Sequence, residues 1–189
     1  MTVAGTYVYV PDNAPGLQVI DASNPASPSI VGSIDTPGYA YNVAVAGSYA
    51  YVTGSGLQVI DVSNPAAPVT VGNIDIPPGT GSVAVDGSYA YVSGYDSCLW
   101  VIDVSNPAAP TVVGSMATLG WAGDVAVYQS YVYVADGEYG FRIIDVSNPV
   151  APWILGSVAL PRIAYNVAVT ASYAYVTTAT SNSFHVVDI

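Results

Sequence analysis

Leu57-Gln58-Val59-Ile60-Asp61-Val62-Ser63-Asn64-Pro65 decides the fold, because it is not unique in the chain. (Val/Ile)-Ile-Asp followed by Ser-Asn-Pro returns with its aspartates at Asp21, Asp61, Asp103 and Asp145, a period of 40 to 42 residues. Val186-Val187-Asp188 supplies a fifth, incomplete copy. A second motif, Tyr-(Ala/Val)-Tyr-Val, begins at Tyr7, Tyr49, Tyr89, Tyr131 and Tyr173, and takes up ten of the 16 tyrosines. A fixed period of this length means a stack of supersecondary units that cannot bury their apolar faces alone.

Each unit reads as four short strands, a to d. β-branched and aromatic residues alternate over four to six positions and are separated by Gly, Pro, Asn and Ser. In the second unit these are Asn42–Val45, Tyr49–Val52, Leu57–Asp61 and Val69–Ile74. No segment carries a capped 3.6-residue apolar period. Four strands in about 40 residues match a blade of a β-propeller, in which radial repetition covers both faces of each small sheet. The expected fold is therefore all-β: one propeller domain over 1–189, five blades of up to four antiparallel strands, with units at about 1–36, 37–76, 77–118, 119–160 and 161–189. The last blade is expected to lack its outer strand, because the chain holds five a-b-c sets and four d strands. An uncovered, apolar c strand invites pairing, so self-association through the fifth blade is expected.

The motif resembles the LVIVD-repeat β-propellers, found mostly in bacterial and archaeal cell-surface proteins. Its carriers are Leu17-Gln18-Val19-Ile20-Asp21, Leu57-Gln58-Val59-Ile60-Asp61, Leu99-Trp100-Val101-Ile102-Asp103 and Phe141-Arg142-Ile143-Ile144-Asp145. Phe184-His185-Val186-Val187-Asp188 is a looser copy. The resemblance covers essentially the whole chain and implies an extracellular or surface setting. It brings no catalytic residues with it.

The chain has 189 residues with 13 Asp+Glu against 2 Lys+Arg, a formal net charge of -11. Nucleic acid is excluded as a partner, because counterion release needs clustered Lys or Arg. No apolar run reaches the 18 residues of a membrane span, so membrane insertion is not expected, and Met1–Gly5 lacks the basic start and apolar stretch by which a signal peptide is read. The single cysteine, Cys98, rules out an intrachain disulfide framework.

Comparing the repeats with one another separates scaffold from free positions. From the Asp that ends strand c to the Gly of strand d the count is 11 in all four complete units, as in Asp61 to Gly72. The Asp-x-Ser-Asn-Pro string reads as a rigid corner, since Asx side chains bond backbone N–H groups two residues on and Pro presets φ. Five of the 13 acids are thereby structural. Length varies only in the b-c loop, and the b-c and d-a loops leave the blades on the same face because successive strands are antiparallel.

Asp12, Asp35, Asp75, Asp96, Asp124, Asp136 and Glu138 fall on or beside those loops, and only Asp86 falls on the opposite face. Tyr39, Tyr41, Tyr95, Trp121, Tyr139, Tyr165 and Arg162 join them. The expected ligand-binding set is Trp121, Tyr95, Asp96, Asp124, Asp136, Glu138, Tyr139 and Tyr39, with rings stacking on a glycan or protein ligand and carboxylates accepting its hydrogen bonds.

No catalytic residue, metal site or cofactor is expected. His185 occupies the strand-c slot that holds Gln18, Gln58, Trp100 and Arg142 elsewhere, a slot open to any side chain, so it makes a poor relay base. Asp136-Gly137-Glu138 is a short candidate for calcium without the longer Asp-x-Asp-x-Asp-Gly series. The function expected is a noncatalytic binding or adhesion module of a surface repeat protein. The rival readings are a glycoside hydrolase using acids of the same face, and a propeller fragment or engineered chain whose only property is folding and assembly.

Overall fold

The computed structural model describes residues 1–13, 16–76, 79–94, 97–179 and 183–189. Every regular element among them is a strand. The first sheet is β1 (Thr2–Ala4), β2 (Tyr7–Asp12), β3 (Gly16–Asp21) and β4 (Ser29–Ile34), and the second is β5 (Asn42–Ala46), β6 (Tyr49–Thr53), β7 (Leu57–Asp61) and β8 (Val69–Ile74). The third is β9 (Thr80–Asp86), β10 (Tyr89–Gly94), β11 (Cys98–Asp103) and β12 (Thr111–Ala117). The fourth is β13 (Asp124–Tyr128), β14 (Tyr131–Ala135), β15 (Phe141–Asp145) and β16 (Trp153–Val158). The fifth has three strands, β17 (Ala164–Val169), β18 (Tyr173–Thr178) and β19 (Ser183–Asp188). Strand order follows chain order in each sheet, so these are five antiparallel meanders, the blades of a propeller, and the last lacks an outer strand.

The chain packs as two compact units, one of Met1–Thr80 with Val104–Thr111, the other of Gly81–Asp103 with Val112–Ile189. In the first, Leu17 and Val19 of β3 share a buried cluster with Val43, Val52 and Ile60 of the next sheet. In the second, Leu99 and Val101 of β11 meet Val132, Val134 and Ile144, and Phe141 of β15 meets Ala174 and Val176. The Leu-x-Val-Ile-Asp motif is thus explained residue by residue. Within these clusters the Leu and Val positions of β3, β11 and β15 face the following blade, and Ile60 and Ile144 face the preceding one. The second tyrosine of each Tyr-x-Tyr pair in the first four blades, Tyr9, Tyr51, Tyr91 and Tyr133, is buried with these residues. In the fifth blade the forward positions are Phe184 and Val186, which are 61% and 55% exposed.

The corners form as the Asx chemistry requires. The amides of Ser23, Ser63 and Ser147 each donate to the carboxylate of Asp21, Asp61 and Asp145 at 2.8 Å. Hydrogen bonds from the hydroxyls and amides of the same serines, the hydroxyl leading at Asp61 and Asp145 and the amide at Asp21, hold the three aspartates below the usual carboxylate range. The amides of Ala26, Ala66 and Ala108 donate to the side chains of Asn24, Asn64 and Asn106. The d-strand glycine has a reason equally specific: a Cβ at Gly32, Gly72 or Gly114 would overlap the carbonyl oxygen of Pro65, Pro107 or Pro149. Each d strand therefore lies against the corner of the following repeat, closer than any side chain allows. Gly156 has nothing within 4 Å of that position. Beside these glycines the c-d ladder shifts register, at Val19/Ile20, Val59/Ile60 and Ile143/Ile144, a bulge carried from repeat to repeat.

Candidate functional site

Three loops of the second unit converge at one end of the fourth and fifth blades: the d-a segment before β13, the b-c loop between β14 and β15, and the d-a segment before β17. A cleft of about 210 Å³ is lined by Gly120, Trp121, Gly137, Glu138, Tyr139 and Ile163. A second, of about 250 Å³, shares Glu138 and Ile163 with it and continues along Leu160, Pro161 and Arg162. Two shallow clefts with shared walls make one groove.

The groove is held from beneath by Asp136. This residue is 0% exposed, which corrects its expected role as a surface carboxylate. Its oxygens accept the amides of Leu119 at 3.2 Å and Gly120 at 3.0 Å and ion-pair with Arg142 Nε. The carboxylate thus clamps the d-a segment onto the b-c loop, and its acceptor sites are committed to the protein rather than to calcium. Among the described residues no group of three or more His, Cys, Asp and Glu could hold a metal ion. The strand-c slot of Arg142 is also not indifferent, as the sequence suggests, but buried at this repeat.

The clamp positions the aromatics. Tyr139 N–H donates to Asp136 O at 3.0 Å, and the guanidinium of Arg142 lies 5.9 Å from the Tyr139 ring centroid, a cation–π contact under a ring that stays 51% exposed. Trp121, half-buried, meets Tyr165 edge-on at 5.4 Å and 72°. Gly137 has φ +55°, and a Cβ there would crowd Trp121 O at 3.0 Å, so glycine is needed both for the turn and for the approach. Its carbonyl accepts the Ala164 amide at 2.9 Å, which ties the third loop to the second.

Glu138 is exposed at the junction of the two clefts. The sequence has two Lys+Arg residues, and with Arg142 buried, the exposed one is Arg162, in the same groove. Asp124, at the start of β13, is half-buried. Its carboxylate accepts the Val167 amide of β17 at 3.0 Å and a hydrogen bond from the Ser82 side chain of β9, and burial pushes its pKa up. It is a cross-link between three first strands rather than part of the groove lining.

Of the expected ligand-binding residues, the structure therefore brings together Trp121, Glu138 and Tyr139, and places Asp136 under them. Tyr39 belongs to the other unit, where it lines a separate groove of about 420 Å³ with Tyr41, Gly54 and Ser55. Tyr95 and Asp96 lie outside the described residues. Arg142 is the functional residue that sequence reasoning passes over. Its signal was available, since a chain with two cations places one of them in the same repeat as Asp136-Gly137-Glu138.

Antiparallel four-stranded blades, a corner repeated at fixed spacing and a groove built by d-a and b-c loops define a β-propeller of repeat blades. The chain belongs to the LVIVD repeat family, whose model matches residues 1–36, 37–76, 79–118, 119–159 and 161–189. No curated protein matches its sequence. Among solved structures it is similar to a functionally unknown protein from Desulfotomaculum acetoxidans DSM 771, with TM-score 0.81, 14% identity and 97% of this chain covered. It is also similar to the computationally designed Ika8 protein, with TM-score 0.79, 9% identity and 100% of this chain covered. A third is the Cps50 (Swd1) β-propeller domain of Myceliophteria thermophila, with TM-score 0.76, 11% identity and 97% covered. The chain spans 66%, 57% and 66% of the lengths of these three. At such identities the likeness is one of fold.

Proposed function

We propose that the chain is a noncatalytic binding module of an extracellular or cell-surface repeat protein, and that the groove of Trp121, Glu138, Tyr139 and Arg162 takes a glycan. The observation that carries this reading is the pairing, in one groove, of the exposed Tyr139 ring and the half-buried Trp121 with one exposed carboxylate and the exposed cation. Rings stack on the apolar faces of sugars, while Glu138 accepts and Arg162 donates hydrogen bonds to hydroxyls or to an acidic substituent. The rigid floor supplied by Asp136 and Arg142 lowers the ordering cost of binding. A protein ligand is the other occupant such a surface fits. The surface setting rests on the family resemblance.

The test is binding to a glycan panel by the wild type and by Trp121→Ala and Glu138→Gln. Retained glycans lost in both variants support the reading, and unchanged binding in both overturns it. Glycan cleavage that disappears in Glu138→Gln replaces it with the hydrolase reading. The same proposal includes self-association through the fifth blade, where Phe184 and Val186 are exposed, and a strictly monomeric mass by sedimentation equilibrium removes that part.

A further inference from the structure

At the opposite end of the blades the a-b turns are nearly uniform: Ala4-Gly5-Thr6, Ala46-Gly47-Ser48, Asp86-Gly87-Ser88, Tyr128-Gln129-Ser130 and Thr170-Ala171-Ser172. The third, fourth and fifth units depart from the pattern, and the departures of the third and fourth meet. Asp86 stands where the first two units have Ala. Gln129 stands where the first three have Gly, and it adopts the same left-handed backbone, φ +55° against +61°, +58° and +54° at Gly5, Gly47 and Gly87. An L-residue with an unbranched amide side chain gains nothing from that conformation. Backbone strain held where the repeat offers a relaxed alternative points to use of the side chain.

Both residues line one groove of about 390 Å³ within the second unit, together with Tyr89, Tyr91, Ser130 and Ser147. Asp86 is exposed, and among the described residues no cation pairs with it: Arg142 is committed to Asp136, and Arg162 lies in the groove of the d-a loops. Its field is felt across the groove. The Tyr91 hydroxyl is pushed up to about 12, first by burial and then by the charges of Asp86 and Tyr89. One carboxylate is too few for a hard divalent ion, which takes 6–8 oxygens in the case of calcium. A carboxylate beside two tyrosines, with hydroxyl and amide oxygens around it, suits a monovalent organic cation, and a chain of net charge -11 draws cations toward it.

We propose that this groove is a second binding site, for an alkylammonium group, with Asp86 as its counter-ion, Tyr89 and Tyr91 as its walls, and Gln129 and Ser130 as hydrogen-bond partners. The ammonium is either a lysine side chain of a polypeptide or a free amine, two sources of one chemistry.

The test is a titration of isotope-labelled protein with N-acetyl-lysine methylamide and, separately, with 1,5-diaminopentane, following the amide resonances of Gly87, Ser88, Ser130 and Ser147. N-acetyl-norleucine methylamide is the uncharged control. Saturable shifts at these amides with either cationic probe are expected, and binding at least about tenfold weaker in Asp86→Ala, the loss of one charge-assisted hydrogen bond. Asp86→Ala places in the third turn the residue that the first two carry, and Asp86→Asn is the isosteric second variant. Gln129→Gly is expected to raise the melting temperature while weakening binding, a combination that a merely structural residue would not give. A response to lysine alone assigns the site to a polypeptide, and a response to the diamine assigns it to free amines. No shift with either cation, equal shifts with the norleucine control, or unchanged affinity in both Asp86 variants overturns the proposal.

Discussion

Arg142 and Asp136, six residues apart, form a buried ion pair across the b-c loop of the fourth blade, and the same carboxylate receives the amides of Leu119 and Gly120 from the preceding d-a segment. Two charges taken out of water are tolerable only when their remaining hydrogen-bond sites are met. Here two amides meet those of the carboxylate, and the ring of Tyr139 covers the guanidinium.

Removing one partner leaves the other charged and buried. Asp136→Ala is expected to cost about 3–5 kcal/mol, and Arg142→Leu a similar amount. The double variant should recover a large part of the loss, because no lone charge then remains. Urea denaturation of the two single variants and the double measures this, and additive losses would mean that the pair is not the source.

Asp124 acts in the opposite sense. Burial raises its folded pKa above the ordinary 3.8, so the folded state holds the proton more tightly than the unfolded chain. The resulting penalty is absent below 3.8, grows as pH rises through the folded value and is full above it. Asn stands at the equivalent positions 42 and 166. Asp124→Asn keeps an acceptor for the Val167 amide and is therefore expected to melt higher than wild type at neutral pH, with the difference vanishing below 3.8. A thermal scan across pH checks both halves of that statement.

The corner aspartates give the converse dependence. Hydrogen bonds from Ser23, Ser63 and Ser147 lower the folded pKa of Asp21, Asp61 and Asp145 below 3.8. Their contribution is complete above 3.8 and is lost as pH falls through the lower folded value. Asp61→Ala should lower the urea midpoint at about pH 7 and lower it less at a pH well below 3.8, where the wild-type carboxylate is losing its charge. Equal deficits at the two pH values would show that charge is not involved.

The d-strand glycines separate into two kinds. Gly72→Ala forces a methyl into the Pro107 carbonyl and is expected to cost about 1–3 kcal/mol, as overpacking does. Gly156→Ala meets nothing and is expected to be neutral or to stabilise by about 0.4–1 kcal/mol through the unfolded chain. Equal effects at the two positions would rule out the contact as the reason for the glycine.

The fold could be read from sequence because its determinants are periodic. Leu57, Val59 and Ile60 recur with their neighbours in register, and alternation along a strand converts that register directly into two buried faces. The site was readable only in outline. Chain direction places b-c and d-a loops at one end of a blade, which brought Trp121, Glu138 and Tyr139 forward. Whether a loop carboxylate turns outward, as Glu138 does, or inward, as Asp136 does, depends on a partner in a different strand, and no local pattern encodes it. Asp86 shows the other side of that limit. It stood alone on its face in sequence, and its meaning came from a turn 43 residues later, where Gln129 replaces the repeat's glycine.

The fit of Gly32 against Pro65, of Gly72 against Pro107 and of Gly114 against Pro149 is a head-to-tail coupling, in which each repeat offers a socket to its successor and a plug to its predecessor. Such a heterologous joint carries no stop signal of its own, unlike a two-fold contact, which is spent once it is made. Repeat number is then a property of the gene rather than of the joint, and duplication of a unit adds a blade with its coupling already in place. The tolerance lies elsewhere: the constant 11 residues from corner Asp to glycine cannot lengthen without unseating the plug, whereas the b-c loops change length from repeat to repeat and leave the joint untouched.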